Sequence, residues 1–169
     1  MRSKVIFDIE TDGFLDKLTI MSVAWTYDIG KDEWLEWEDD LLLVDYLNSF
    51  DLLIGHNIQG FDVPALEKLT NLSIKSNFFD TLVAARLRHP DILGGHSLRA
   101  WGKRLGVLKG TVTEDDEDVE EVYGVYTPEL SNYCYDDVQV NYALLKRLEK
   151  HFDLDGMVFD PINFEEYEV

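Results

Sequence analysis

Two acidic residues one position apart, Asp8 and Glu10, stand at the end of the run KVIFDIE, residues 4 to 10. In an extended chain their side chains point to the same face. Carboxylates placed so repel each other, and a hard divalent cation that takes oxygen ligands, Mg²⁺ or Mn²⁺, would compensate them. Exposed edge strands also carry such pairs, so the D-x-E spacing alone leaves both readings open. Far along the chain, Tyr133 and Asp137 lie at i and i+4 in a segment of helical periodicity. A phenol and a carboxylate therefore project from one helix face, about a turn apart. Taken alone, that pair also describes a core tyrosine with an aspartate on the helix rim. Asp136 is the rival acid, but only the i+4 spacing sets Asp137 under Tyr133. Asp62 stands where a loop enters a helix, a place where an acid also complements the helix dipole.

These acids need elements to hold them. Residues 4 to 10 read as a strand with Val5 and Phe7 on one face and Ile6, Asp8 and Glu10 on the other. Residues 18 to 27 predict a second strand and 33 to 38 a third, joined by a hairpin turn over 28 to 31 that contains Gly30. A short helix near 41 to 49 precedes the buried strand DLLIG, 51 to 55, and a helix follows from 62 to 69 with Pro64 in its first turn. A brief fifth strand is expected at 77 to 80, then helices at 81 to 88 and 97 to 105. The last helix is the clearest, with Thr127 as N-cap, Pro128 at its first position and apolar residues at helical spacing to about residue 150. This order predicts an α/β fold, a mixed five-stranded sheet of three antiparallel strands and two more, flanked by helices.

The chain of 169 residues, 46% of them hydrophobic, is long enough for one core, and no repeat or long linker divides it. One domain over 1 to 169 is expected, with a long acidic loop at about 110 to 126 and an acidic tail from 151. No apolar stretch approaches the roughly 20 residues of a membrane span. The N-terminus, where Arg2 and Lys4 lead straight into a strand, is unlike a secretory signal, and a cytoplasmic protein is expected. Cys134 is the single cysteine, so no intrachain disulfide and no multi-cysteine zinc site can form, and an inert packed thiol is expected. His56, His89, His96 and His151 show no metal-ligand spacing and are expected to cap or pack.

The net charge of −19 opposes a polynucleotide substrate, since such affinity rests on Lys and Arg. Its distribution softens that objection. Residues 86 to 109 hold Arg86, Arg88, Arg99, Lys103, Arg104 and Lys109 against Asp91, six minus one or +5, while seven of the eight residues from 114 to 121 are acids. Both runs also suit ordinary solvated faces.

The text around the acids resembles the three motifs of the DEDD superfamily of 3′→5′ exonucleases, in the tyrosine-bearing (DEDDy, DnaQ-like) branch. Phe7-Asp8-Ile9-Glu10-Thr11 is similar to the first motif, Asn57-Ile58-Gln59-Gly60-Phe61-Asp62 to the second and Tyr133-Cys134-Tyr135-Asp136-Asp137 to the third. The stretches HNIQGFDVPALEKL, FDTLVAARLRH and HSLRAWGKRLGVLKG resemble the proofreading domain of family A DNA polymerases of short-tailed phages. The resemblance covers roughly residues 4 to 150. It implies an RNase H-like fold and two divalent ions, Mg²⁺ or Mn²⁺, held by Asp8, Glu10, Asp62 and Asp137, with Tyr133 orienting the attacking water. It implies Thr11, Asn57 and Phe61 near the 3′-terminal nucleotide, Phe61 serving equally well as a core anchor. Arg99 and Lys103, one helical turn apart, are the preferred phosphate contacts within the basic island.

The expected substrate is the 3′ end of single-stranded or frayed DNA, cut to nucleoside 5′-monophosphates in proofreading. An exoribonuclease is the alternative within the same chemistry. A non-catalytic acidic accessory or DNA-mimicking protein is the alternative outside it, though a binding module has no need of all four acids and Tyr133. A family A polymerase continues into a far larger domain, and 169 residues cannot house one. A free-standing exonuclease, a subunit of a separately encoded DNA polymerase, or a fragment are the three expectations that follow.

Overall fold

The computed structural model describes residues 1–107 and 124–156. The acidic run at 114 to 121, Lys109 and most of the acidic tail fall outside the described residues. The sheet has five strands, β1 (Lys4–Thr11), β2 (Met21–Asp28), β3 (Glu33–Trp37), β4 (Leu52–Gly55) and β5 (Asn77–Asp80). Their order is β3-β2-β1-β4-β5. The first three strands pair antiparallel, whereas β4 runs parallel to both β1 and β5. This is the mixed sheet expected from the sequence.

Among the described residues five helices accompany it: α1 (Asp40–Leu47), α2 (Asp62–Thr70), α3 (Thr81–Arg88), α4 (Leu98–Leu105) and α5 (Pro128–Leu148), the last followed by a 3₁₀ turn at Glu149–His151. Strand alternation sorts the core into two layers. Val5, Phe7 and Ile9 of β1 face Leu43, Val44 and Leu47 of α1 and Ala65 and Leu66 of α2. Ile6, Leu52 and Ile54 face the other way, against Ala84, Leu98, Trp101 and the apolar stripe of α5 from Val138 to Leu148. Central β1 is thus covered on both sides, and beyond Lys4 at its start its polar residues emerge only toward its C-terminal end. None of the described helices is long and apolar enough to cross a membrane.

Local chemistry sets the ends of these elements. Thr127 caps α5 by accepting from the Leu130 N–H at 3.0 Å, and Asp39 caps α1 through the Leu42 N–H at 3.0 Å. Two expectations need correction. The second strand begins at Met21 rather than Leu18, because Asp12 captures the N–H groups of Thr19 and Ile20 at 2.7 and 3.0 Å and holds that stretch as a loop. Leu18 is buried without being a strand residue. The β2–β3 turn spans residues 29 to 32, one residue later than expected, and its left-handed residue is Asp32, with φ of 51°. Asp28 Oδ1 accepts from the Gly30 and Lys31 N–H groups and shapes the turn upstream of it.

Candidate active site

β1 delivers Asp8 and Glu10 to its C-terminal end, on the face covered by α5. There the ladder to β2 slips: Glu10 opposes Val23 while Thr11 opposes Met21, so Ser22 is the extra residue of a bulge. Bulges re-aim the side chains beside them. α2 brings Asp62 in at its first residue, and the Asp62 carboxylate accepts the Ile9 N–H at 3.2 Å. That bond pins the acid to the backbone between Asp8 and Glu10, so Asp62 does more than complement its own helix dipole. α5 contributes Asp137, 7% exposed, from a turn beyond half-buried Tyr133.

Electrostatics register how close these groups come. Burial pushes Asp8 well above the usual carboxylate range, and the charges of Asp137, Asp62 and Glu10 push it further the same way. Burial raises Asp62 to about 8, with Asp80 and Asp137 adding to it against the Ile9 hydrogen bond. Four carboxylates from three elements therefore come near one another, and burial with their mutual charge raises Asp8 and Asp62.

A hard divalent ion suits this donor set, because each carboxylate is an oxygen ligand and the mutual repulsion is what a cation relieves. Side-chain ligand atoms of Asp8, Glu10 and Cys134 lie within 4.8 Å of one another. Cys134 is the member that the motifs did not single out. It is fully buried, as expected of a packed thiol, beside Val23 and Leu130. Yet its Sγ also lies 3.4 Å from the Asp8 carbonyl and 3.5 Å from Asp8 Oδ2, so the thiol faces the acids. Burial, then Asp8, Glu10 and Asp137, hold it well above the usual thiol range.

The loop carrying the second motif is built around Asp80, which sequence reasoning also missed. Register sets Gly55 opposite Asp80 at the paired ends of β4 and β5. The buried Asp80 carboxylate accepts from the N–H groups of Asn57 at 2.9 Å, Gln59 at 3.2 Å and Leu82 at 3.0 Å. Asn57 itself is left-handed, with φ of 62°, and exposed. Its side chain folds over Gly60, where a Cβ would meet Asn57 Oδ1 at 2.4 Å. The neighbouring His56 ring contacts the Thr81 hydroxyl at 3.0 Å and the His96 carbonyl at 2.7 Å, a packing role in keeping with expectation.

The remaining candidates fall in different places. Thr11 is buried and its hydroxyl donates to the Gly13 carbonyl at 2.8 Å, so its proton is committed to the turn after β1. Phe61 is half-buried against the core layer beneath α1 and α2, which favours the anchor reading. Arg99 and Lys103 sit on α4, half-buried and exposed respectively. Trp101 on the same helix turns inward, and the Arg104 guanidinium lies 4.8 Å from its ring centre.

Known proteins resemble this chain in sequence and in fold. The chain is 29% identical to the DNA-directed DNA polymerase of Escherichia phage T7 over 191 aligned positions, which take in 88% of this chain and 27% of the polymerase. The resemblance to the DEDD exonucleases holds. The chain spans about a quarter of the length of the curated relatives it matches. In fold it superposes on Brucella melitensis NrnC with a TM-score of 0.66, at 18% identity over 90% of this chain and 75% of NrnC. Exonuclease X, solved in complex with 5′ overhanging duplex DNA, matches with a TM-score of 0.55 at 14% identity over 92% of this chain and 94% of its own. These superpositions establish the RNase H-like fold. No family model matches the chain.

Proposed function

We propose that the chain is a two-metal-ion 3′→5′ exonuclease of the DEDDy type that removes nucleoside 5′-monophosphates from single-stranded or frayed DNA. The observation that carries this reading is the convergence of Asp8, Glu10, Asp62 and Asp137 from β1, α2 and α5. Support for a divalent cofactor comes also from NrnC, which has been solved with bound Mg²⁺. Support for DNA comes from the phage T7 polymerase and from the duplex held by exonuclease X.

Asp8, Glu10, Asp62 and Asp137 would hold the ions, and two divalent charges would bring −19 to −15. Bound ions would supply a water that is nucleophilic near neutral pH and offset the charge growing on the departing 3′ oxygen. The protein's own part is positioning. Ile9 N–H fixes the Asp62 carboxylate, the bulge after Glu10 aims that acid, and the α5 backbone holds Asp137 one turn from Tyr133. Tyr133 would donate a hydrogen bond that orients the attacking water, since a phenol is a better donor than general base near neutral pH. Asn57 and the exposed edge of Phe61 would flank the terminal nucleotide, where stacking requires no sequence readout. Arg99 and Lys103 would meet phosphates farther along the strand, and their grip would weaken steeply with salt. A separately encoded DNA polymerase would supply the affinity that so acidic a chain lacks.

The test is digestion of a 3′-labelled oligonucleotide by the purified protein with Mg²⁺ or Mn²⁺, alone and with a cognate polymerase. Stepwise shortening that Asp8→Ala abolishes is expected. No shortening under any of these conditions would sink the reading. Matched RNA oligonucleotides run alongside decide between DNA and RNA.

A further inference from the structure

We propose that Cys134 gives this site a third kind of ligand, so that a single thiophilic divalent ion, Zn²⁺ or Cd²⁺, binds between Asp8, Glu10 and Cys134. The inference rests on the metal-site reading of Asp8 and Glu10, but not on nuclease activity. Tetrahedral zinc holds sulfur at about 2.3 Å and carboxylate oxygen at about 2.0 Å, which sets the sulfur–oxygen edge near 3.5 Å. The Sγ to Asp8 Oδ2 separation is 3.5 Å. Two of the three ligand atoms are therefore already spaced for such an ion. The Glu10 oxygen lies within 4.8 Å of both, so the third ligand stands beside the other two.

Backbone placement fixes the rest. Cys134 precedes Asp137 by three residues on α5, so thiol and carboxylate share a helix face. Cys134 is fully buried and packed against Val23 and Leu130, which holds the sulfur toward β1 rather than toward solvent. The bound ion completes its shell with water or with Asp137. On coordination the S–H bond breaks, the sulfur keeps the electron pair as thiolate, and its proton passes to buffer. Mg²⁺ gains nothing from sulfur, being hard and selective for oxygen, so the thiol tilts the site toward softer ions and makes zinc a competitor of the working metal.

The experiment is a titration of the whole chain with Cd²⁺, followed by the ultraviolet sulfur-to-cadmium charge-transfer band, with Zn²⁺, Mn²⁺ and Mg²⁺ binding measured in parallel by calorimetry. The wild type should show the band at one equivalent. Cys134→Ser should lower the ratio of Zn²⁺ to Mn²⁺ affinity by about tenfold or more. Asp8→Asn should weaken the band's binding curve, since the carboxylate shares the ion. Cys134→Ala, checked by circular dichroism, repeats the measurement should the serine variant misfold. A wild type without the band, or an unchanged Zn²⁺ to Mn²⁺ ratio in both cysteine variants, would overturn the inference. So would a band whose midpoint ignores Asp8→Asn. Oligonucleotide cleavage without the band removes this inference alone, whereas the band without cleavage removes the nuclease reading alone.

Discussion

Asp62→Asn should stabilise the metal-free protein at neutral pH while leaving it nearly unchanged in mild acid. Asp62 is 4% exposed, and burial with the nearby Asp80 and Asp137 raises its pKa from an ordinary 3.8 to about 8. A carboxyl raised in this way binds its proton more tightly when folded than when unfolded. Its contribution is intact below the unfolded value and is lost as pH rises toward the folded one. Between those limits each pH unit costs about 1.4 kcal/mol, so roughly 3 kcal/mol disappears between about pH 5 and pH 7 through this group. That is a large share of a typical domain stability of about 5–15 kcal/mol. Asparagine keeps an oxygen for the Ile9 N–H and carries no charge, so the variant lacks the loss. Asp8 is raised for the same reasons, and removing the Asp62 charge eases it as well. His96, held below the usual imidazole range chiefly by burial, contributes the opposite slope near its own titration. The quantity to follow is therefore the difference between variant and wild type, from urea unfolding in a chelator at about pH 5, 6, 7 and 8. The difference should widen with pH, and saturating Mn²⁺ should restore the wild type and much less the variant. A difference that stays constant across the range would refute the reasoning.

Three further outcomes test the surroundings of the site. Asp80→Ala leaves the partly buried N–H groups of Asn57, Gln59 and Leu82 without their acceptor and should cost about 2 kcal/mol, read from the denaturant midpoint, with Asp80→Asn costing less. Gly60→Ala sets a methyl 2.4 Å from Asn57 Oδ1, the movable end of an exposed side chain. Unfolding should shift by only about 0.5 kcal/mol, while KM for an oligonucleotide rises because Asn57 has been displaced. Tyr133→Phe keeps the ring and removes the hydroxyl, so kcat should fall by about tenfold to a hundredfold. Calorimetric Mn²⁺ affinity should stay as it was, and a fall would show that Tyr133 serves the metal rather than the water.

The elements were legible in the sequence where one local rule dominated. Thr127-Pro128 announces the start of α5, and α3 and β5 fall on the residues expected, because capping and periodicity act within a few residues. The second strand was misjudged for the opposite reason. Residues 18 to 20 have strand-like composition, but a side chain at Asp12 competes for their backbone N–H groups and wins. Composition cannot reveal a contact made across a loop.

The site divides along the same line. Asp8, Glu10, Asp62, Tyr133 and Asp137 could be picked out because short motifs keep each with its own neighbours, whereas Asp80 works only through the parallel pairing that sets Gly55 beside it. Nothing near Asp80 in the sequence points to Asn57, 23 residues away. Cys134 is the more instructive omission, since its signal was available. It stands three residues before Asp137, the other spacing that shares a helix face, and the i+4 rule that chose Asp137 over Asp136 could have been applied again as i+3. A lone cysteine without a nearby histidine reads as inert when metal ligands are sought among cysteines and histidines alone. Here its partners are carboxylates delivered by β1, more than 120 residues earlier in the chain. The thiol's character is set by what the sheet presents to it, so burial in this cluster is a reason to expect chemistry from Cys134 rather than a reason to dismiss it.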